Sequence, residues 1–363
     1  MLSLGAVTAS WMPIGLHANG RRPEIIRGFQ VAALESESSV EELTSSIVEA
    51  STWGVNAVRL QLKPVTFAKR CGSEFWLAWP RFLDRLNALL KNIEKLDLKV
   101  VLVLMEGPPV RGADQGSYWK NPEFAISFCA MWRDISNCIG SLRGIIWAYD
   151  LLNEPLDRIQ LPSPPVEWRS VALSAIREIR DVDPSSWIVF EPGPGSLFSG
   201  FAHLEPLPLD RIIYSAHFYY PQDFTHQGIS DIVGTDLARP APNHKVNYPG
   251  YVSGRYYNRN ALAAILEPAK AFQRKWQVPI FVGEFSVVRW APKEDAVRWL
   301  EDVLSLFEEL GWSWTYHAFR EFNGWNLELD GVSPSDTNTS SPSGRDTARA
   351  LVIRNALSLN KAR

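Results

Sequence analysis

Eight short apolar, β-rich runs recur along the chain with amphipathic stretches of helical period between them, and this rhythm restricts the fold more than any other property of the sequence. The runs are Ile25 to Ala33, Asn56 to Gln61, Lys99 to Met105, Gly144 to Asn153, Ser186 to Glu191, Arg211 to Tyr219, Val278 to Glu284 and Gly311 to Phe319. Several are almost continuously hydrophobic, as strands buried on both faces must be. Helical patterns follow over Ser38 to Trp53, Pro80 to Leu96, Asn121 to Ile139, Pro165 to Arg180, Asn260 to Trp276, Pro292 to Leu310 and Ser343 to Leu357. After the fifth run only Ser196 to Leu204 is left to supply a short helix. Strands that alternate with crossovers form parallel sheets. Eight of them in 363 residues predict an α/β fold, a closed (β/α)8 barrel of the TIM type, as a single domain over residues 25–358.

Two segments break the rhythm and predict long loops: Pro221 to Arg259 after the sixth strand and Arg320 to Arg345 after the eighth. Residues 1–24 precede the barrel. Met1 to Ala18 are small and apolar without a positive start, which reads as an N-terminal arm or the remnant of a secretory signal. No window is apolar enough for a membrane helix. With 40 acidic against 37 basic residues and no basic run, nucleic acid is not expected as a partner. The three cysteines, Cys71, Cys129 and Cys138, lack any C-x-x-C spacing and read as buried thiols. Fifteen tryptophans are many for a chain of this length, and their flat faces suit both a core and a sugar ring.

In a barrel of this kind chemistry sits on the loops leaving the carboxyl ends of the strands, so polar residues there are the functional candidates. The fourth strand ends in L-L-N-E-P and the seventh in F-V-G-E-F, which brings Glu154 and Glu284 to one rim across a cleft. Glycosidic bonds are cleaved by such a pair, one carboxyl donating a proton to the leaving oxygen and the other attacking or activating water; a separation near 5 Å means retained configuration. The second strand closes with A-V-R-L and the sixth with S-A-H-F-Y-Y-P, so Arg59 reaches the same mouth while His217 and Tyr219, at alternate positions, face it together.

N-E-P after strand four, G-E-F after strand seven, H-F-Y after strand six and G-V-N-A-V-R-L into strand two, in this order, resemble glycoside hydrolase family 5, the cellulase-type family, over roughly residues 25 to 320. The resemblance implies that Glu154 is the acid/base and Glu284 the nucleophile. It implies that Asn153 binds the sugar 2-hydroxyl, that Arg59 and Tyr219 hydrogen-bond Glu284, that His217 lines the cleft, and that no metal or organic cofactor takes part. The sequence departs from the family pattern twice. Strand three offers Met105 and Glu106 in V-L-V-L-M-E-G-P-P where a histidine is usual, making Glu106 a candidate substrate contact or a plain loop acid. Strand eight, W-S-W-T-Y-H-A-F, carries His317 where a stacking tryptophan is common, which leaves Trp314 or Trp325 to supply that face.

A metal-dependent barrel hydrolase would need His-x-His or His/Asp ligands at strand ends. The histidines, at 17, 203, 217, 226, 244 and 317, have no such spacing. A non-catalytic sugar-binding barrel is the alternative of another class, against which the intact N-E-P and G-E-F stand. The expectation is a monomeric, secreted or periplasmic endo-β-1,4-glucanase acting on a β-linked polysaccharide, with mannan, xyloglucan and mixed-linkage glucan as alternative substrates and exo action left open.

Overall fold

A computed structural model describes residues 22–111, 118–229, 245–331 and 346–362. Its elements in chain order begin with β1 (Arg27–Leu34), α1 (Ser39–Ser51), β2 (Ala57–Leu62), α2 (Pro64–Arg70), α3 (Phe75–Glu94) and β3 (Lys99–Leu104). There follow α4 (Pro122–Ile139), β4 (Ile146–Asp150), α5 (Trp168–Val182), β5 (Ile188–Phe190), β6 (Ile212–Phe218) and α6 (Gln222–Thr225). The chain continues through β7 (Gly250–Val252), β8 (Arg255–Tyr257), α7 (Arg259–Trp276), β9 (Ile280–Phe285), α8 (Lys293–Glu309), β10 (Ser313–Phe319) and α9 (Ala348–Leu357). Eight of the strands close into a barrel in the order β1, β10, β9, β6, β5, β4, β3, β2, and every pair in it is parallel. All eight expected strands are present.

Side chains alternate across each strand, so one parity faces the helices and the other the barrel interior. On β2, Val58, Leu60 and Leu62 join the outer layer, whereas Ala57, Arg59 and Gln61 have the opposite parity. The inward residues at the amino ends form a separate apolar floor of Ile26, Ala57, Val101, Trp147, Ala148, Val189, Ile213 and Phe281. Each large side chain buried there stabilises the barrel by roughly 1.5–3 kcal/mol. Among the described residues three helices are capped at their start by a side-chain oxygen, Asn121 on α4, Asn258 on α7 and Thr347 on α9.

Several boundaries differ from the sequence-based expectation. The chain before β4 forms a 3-10 turn over Gly140–Ile145 rather than strand. Helix α3 starts at Phe75, and Pro80 lies inside it; stacking of Phe75 on Trp79 and of Trp79 on Phe82, with centroids 5.6 and 5.4 Å apart, holds that turn without the proline's missing N–H. The short helix expected after the fifth strand is a 3-10 turn, Phe198–Phe201. Helix α2 was not expected. The long segment after β6 contains α6 and the antiparallel hairpin of β7 and β8; its residues 230–244, like 332–345 after β10 and 1–21 of the expected N-terminal arm, lie outside the described residues. The cysteines are unpaired and only partly buried. Among the described residues no helix is long and apolar enough to cross a membrane.

Candidate active site

The carboxyl ends of the strands bring one guanidinium into contact with three acids. Arg59 on β2 is fully buried; it donates from Nε to Asp150 Oδ2 (2.9 Å), from Nη1 to Glu284 Oε1 (2.7 Å) and from Nη2 to Glu191 Oε1 (2.9 Å). It also donates to Gln30 on β1 and to Asn153 Oδ1 (3.1 Å). Burial by itself would lower the guanidinium's pKa, but Asp150, Glu284 and Glu191 outweigh that and raise it. The acids are not equivalent. Burial pushes Asp150 up to about 8, against the pull of Arg59, and its Oδ1 has no partner. Burial also opposes ionisation of Glu191 and Glu284, yet His217 and Arg59 hold Glu191 below its usual range, and His217, His317 and Arg59 hold Glu284 well below it.

Glu284, at the end of β9, is almost completely enclosed: 5% of its side chain is exposed, against 42% for Glu154. Tyr219 donates its hydroxyl to Glu284 Oε2 (2.8 Å), the oxygen not taken by Arg59. Glu154 follows β4 with a backbone φ of +47°, a conformation that costs a non-glycine residue about 1–3 kcal/mol. Two contacts hold it there: its N–H donates to Glu191 Oε2 (2.7 Å), and the N–H of Asn153 donates to the carbonyl of Leu104 (2.8 Å). One oxygen each of Glu154 and Glu284 and one nitrogen of His217 lie within 4.8 Å of one another. This is the separation at which one acid attacks and the other protonates.

His217 is clamped on β6. Its Nδ1 lies 2.8 Å from Glu154 Oε1, its Nε2 lies 3.4 Å from Glu191 Oε1, and its backbone N–H donates to the carbonyl of Ser196 (2.9 Å). Burial disfavours the imidazolium, but Glu284, Glu191 and Glu154 raise its pKa well above the usual value. The imidazole fits because Gly283 on the neighbouring strand has no side chain: a Cβ there would sit 2.9 Å from Nε2 and 3.1 Å from Ser215 Oγ. Glu154, His217 and Glu284 are also the one trio among the described residues that converges as metal ligands would. Their donor atoms are already engaged with each other and with Arg59 and Tyr219, so the geometry suits proton transfer and nucleophilic attack by a carboxylate better than a cation.

Four expected contacts take other roles. Trp314 shares its parity on β10 with Tyr316 and not with His317, and it faces the helix layer: it is fully buried, its indole N–H donates to Glu308 Oε1 (2.8 Å), and it packs edge-on against Phe285. It cannot stack on a sugar. Trp325 is 6% exposed, with its ring packed beside Tyr219, His226, His317 and Phe322, so it braces these side chains instead of offering a free face. Both oxygens of Glu106 are taken by Thr66, one by the backbone N–H (2.9 Å) and one by the hydroxyl, which fastens the first turn of α2. His317 has both nitrogens engaged, Nδ1 with Tyr219 and Glu284 and Nε2 with Glu321. Conversely, Gln30, Asp150, Glu191 and Glu321 belong to the site and were not singled out in the sequence. Glu191, directly after β5, carried the same strand-end signal as Glu154 and Glu284.

The family model for cellulase (glycosyl hydrolase family 5) matches residues 20–323. Endoglucanase C of Acetivibrio thermocellus is 26% identical over 275 residues, which span 69% of this chain and 77% of the relative. Cellodextrinase A of Ruminococcus flavefaciens is 22% identical over 273 residues, spanning 74% and 75%. The structure of Thermotoga maritima Cel5A in complex with mannotriose superposes with a TM-score of 0.66 at 20% identity, covering 91% of this chain and 96% of that one, a likeness of fold.

Proposed function

The chain belongs to glycosyl hydrolase family 5, the cellulase family, and from that premise we propose that it is an endo-β-1,4-glucanase in which Glu284 is the nucleophile and Glu154 the acid/base. It is a glycoside hydrolase of the retaining kind, and a polysaccharide substrate is consistent with the family. The observation that carries the assignment of roles is the contrast between two acids with oxygens within 4.8 Å. Glu284 is enclosed by donors, while Glu154 is largely open towards the place a leaving group would occupy. A carboxylate held ionised by Arg59, Tyr219 and two imidazoles is suited to attack an anomeric carbon.

In the first step an electron pair of Glu284 forms a bond to the anomeric carbon as the bond to the leaving oxygen breaks, and that oxygen takes the proton of Glu154. In the second, water gives a proton to Glu154 and attacks the same carbon, and the bonding pair returns to Glu284. His217, 2.8 Å from Glu154 Oε1, steers the acid, and Asn153, anchored on Arg59, is placed to meet the sugar 2-hydroxyl as the ring flattens. None of these steps uses a cofactor.

The names of the relatives favour β-1,4-glucan. Mannan is the second reading, because Cel5A, whose fold this chain shares, has been observed with both cellobiose and mannotriose. Such polymers do not enter cells, which favours secretion, and the protein is proposed to act as a monomer. The deciding assay measures reducing ends released from carboxymethylcellulose, barley β-glucan, xyloglucan, glucomannan and laminarin, with Glu284→Gln as the blank. Release from β-1,4-glucans that vanishes in the variant is expected. Release from glucomannan alone would move the assignment to a mannanase, and binding without any release would make the barrel a sugar-binding protein.

A further inference from the structure

The reaction above counts a second histidine only among the groups that keep Glu284 ionised, yet this ring touches the same oxygen of Glu284 as Tyr219 does. His317 on β10 places Nδ1 3.2 Å from Glu284 Oε2 and 2.6 Å from the Tyr219 hydroxyl. On its other side Nε2 lies 3.1 Å from Glu321 Oε2. Glu321, in the loop after β10, is fixed in turn by Gln61 on β2, whose amide nitrogen donates to Glu321 Oε2 (2.8 Å) and to the carbonyl of Val31 on β1 (2.8 Å). A line of contacts therefore runs from the barrel wall through Gln61, Glu321 and His317 to the oxygen of Glu284 that Arg59 leaves open.

The contacts around the ring suit its charged form. Ionised carboxylates only accept hydrogen bonds, and His317 faces one at each nitrogen, while the Tyr219 proton is already directed at Glu284. Both nitrogens must carry hydrogen for both contacts to be made. The charged and titratable groups around this pair are Glu284 from β9 and Tyr219 from the end of β6, with Arg59 from β2 and His217 from β6, whose Nδ1 lies 3.7 Å from Oε2, beyond Glu284; His226 packs on the far side of Tyr219, and Lys63 acts on Glu321. Burial opposes the imidazolium, but Glu284 and Glu321 raise the pKa of His317 to about 10, and His317 keeps Glu321 below its usual range.

We propose that Glu321 and His317 form a positioning dyad that holds an imidazolium against Oε2 of Glu284, stabilising that carboxylate as the group that departs in the second step. The dyad rests on the reading of Glu284 as the nucleophile. A cation beside the carboxylate makes it a weaker base, hence a better leaving group when the glycosyl bond is cleaved by water and no better a nucleophile when that bond forms.

The test uses His317→Phe, Glu321→Gln and Glu321→Asp with dinitrophenyl β-cellobioside, whose leaving group needs little proton from Glu154, so that the second step limits kcat. In His317→Phe and Glu321→Gln alike, kcat is expected to fall about tenfold or more with KM falling alongside it. The acid limb of kcat/KM is expected to rise by about 1 pH unit. Glu321→Asp is expected to restore both towards wild type. A loss confined to kcat/KM with the acid limb unmoved overturns the proposal, as does a Glu321→Gln variant indistinguishable from wild type beside an altered His317→Phe. A readout independent of turnover is 15N NMR of the imidazoles, assigned with His317→Phe. Wild-type His317 is expected to be doubly protonated at about pH 8 and to lose a proton at lower pH in Glu321→Gln. A neutral wild-type ring at that pH overturns the dyad alone, whereas wild-type protein that leaves every aryl glycoside intact overturns the nucleophile assignment.

Discussion

At the amino end of the strands the barrel is plugged by Ala57, Ala148, Val189 and Phe281, whereas two or three residues farther along the same strands stand Arg59, Asp150, Glu191 and Glu284. At the rise of a strand this step is about 7 Å. The apolar end needs only volume and shape to be satisfied. The charged end must also settle which groups hold protons, because the floor below and the walls around it supply no water to solvate a lone ion. Arg59 and two imidazoles balance Glu191, Glu284 and Glu321, while Asp150, the deepest acid with one oxygen unpartnered, is the one driven towards its neutral form. Substitutions at the two ends should therefore fail in different currencies.

The largest effect belongs to the charged end. Glu284→Gln is expected to lower turnover of every substrate by about four orders of magnitude or more, with the barrel still folded but at a lower Tm, since the neutral amide no longer balances Arg59 and the imidazoles. Glu154→Gln is expected to lose about 10²- to 10⁴-fold on polysaccharide but to keep the first step on dinitrophenyl glycosides. Burst kinetics on the two substrate types would separate them, and equal losses in both variants would reverse or remove the roles given to the two acids.

A matched pair compares the ends directly. Arg59→Leu leaves buried carboxylates without their cation and is expected to cost about 3–5 kcal/mol in denaturant unfolding, together with nearly all activity. Phe281→Ala opens a cavity in the floor and is expected to cost a similar ~3–5 kcal/mol while the folded fraction keeps its kcat. Should the floor variant lose activity in proportion to Arg59→Leu, the two ends are not separable. Gly283→Ala acts between them. Its methyl group would displace His217 from the clamp of Glu154 and Glu191, with about a ten- to hundredfold loss of kcat on polysaccharide and little change in unfolding.

The smallest effect is on stability against pH. The value of about 10 for His317 lies above the ~6.5 of an unfolded histidine, so the stability from its contacts is complete below pH ~6.5 and is lost as pH rises towards 10. Glu191, Glu284 and Glu321 lie below their ordinary values, so their contribution is complete above pH ~4.3 and drains as pH falls through the folded values. In His317→Phe the decline of Tm from pH 7 to 10 is expected to flatten; an unchanged slope would show that another group sets the alkaline side.

The barrel was legible because its strands are buried on both faces and so read as short apolar runs. Boundaries slipped where local chemistry competes with that pattern. The hydrophobics at Gly144 and Ile145 belong to a turn, and Pro80, read as a helix start, sits one turn inside a helix nucleated by Phe75 and Trp79. At the site, parity decides what the sequence reveals. Period-two alternation brings Arg59 and His217 inward and is readable without a structure, whereas Glu284, three residues beyond the inward Phe281, reaches the mouth through the register shift between β6 and β9 at Gly283. The same rule forbids Trp314 and His317 from sharing a face, so placing both in the cleft misapplied it. Glu321 has no periodic signal, since it lies in a loop and owes its place to Gln61 and His317. Glu106 shows the reverse: a strand-end acid whose two oxygens are taken by a neighbour in space, Thr66 at the start of α2.

The charges gathered around Arg59 come from distant stretches of the chain: Asp150 lies 91 positions after Arg59, Glu191 132 and Glu284 225. A chain emerging from the ribosome just past β5 already holds Arg59, Asp150 and Glu191, but Glu284 and the last three strands of the barrel, β6, β9 and β10, are still unmade. Until β6, β9 and β10 arrive, water must fill the open side, and half-built barrels are penalised by every ion that has not met its partner. Catalytic machinery spread over strands from both ends of the chain thus makes folding of the nascent enzyme closer to all-or-none.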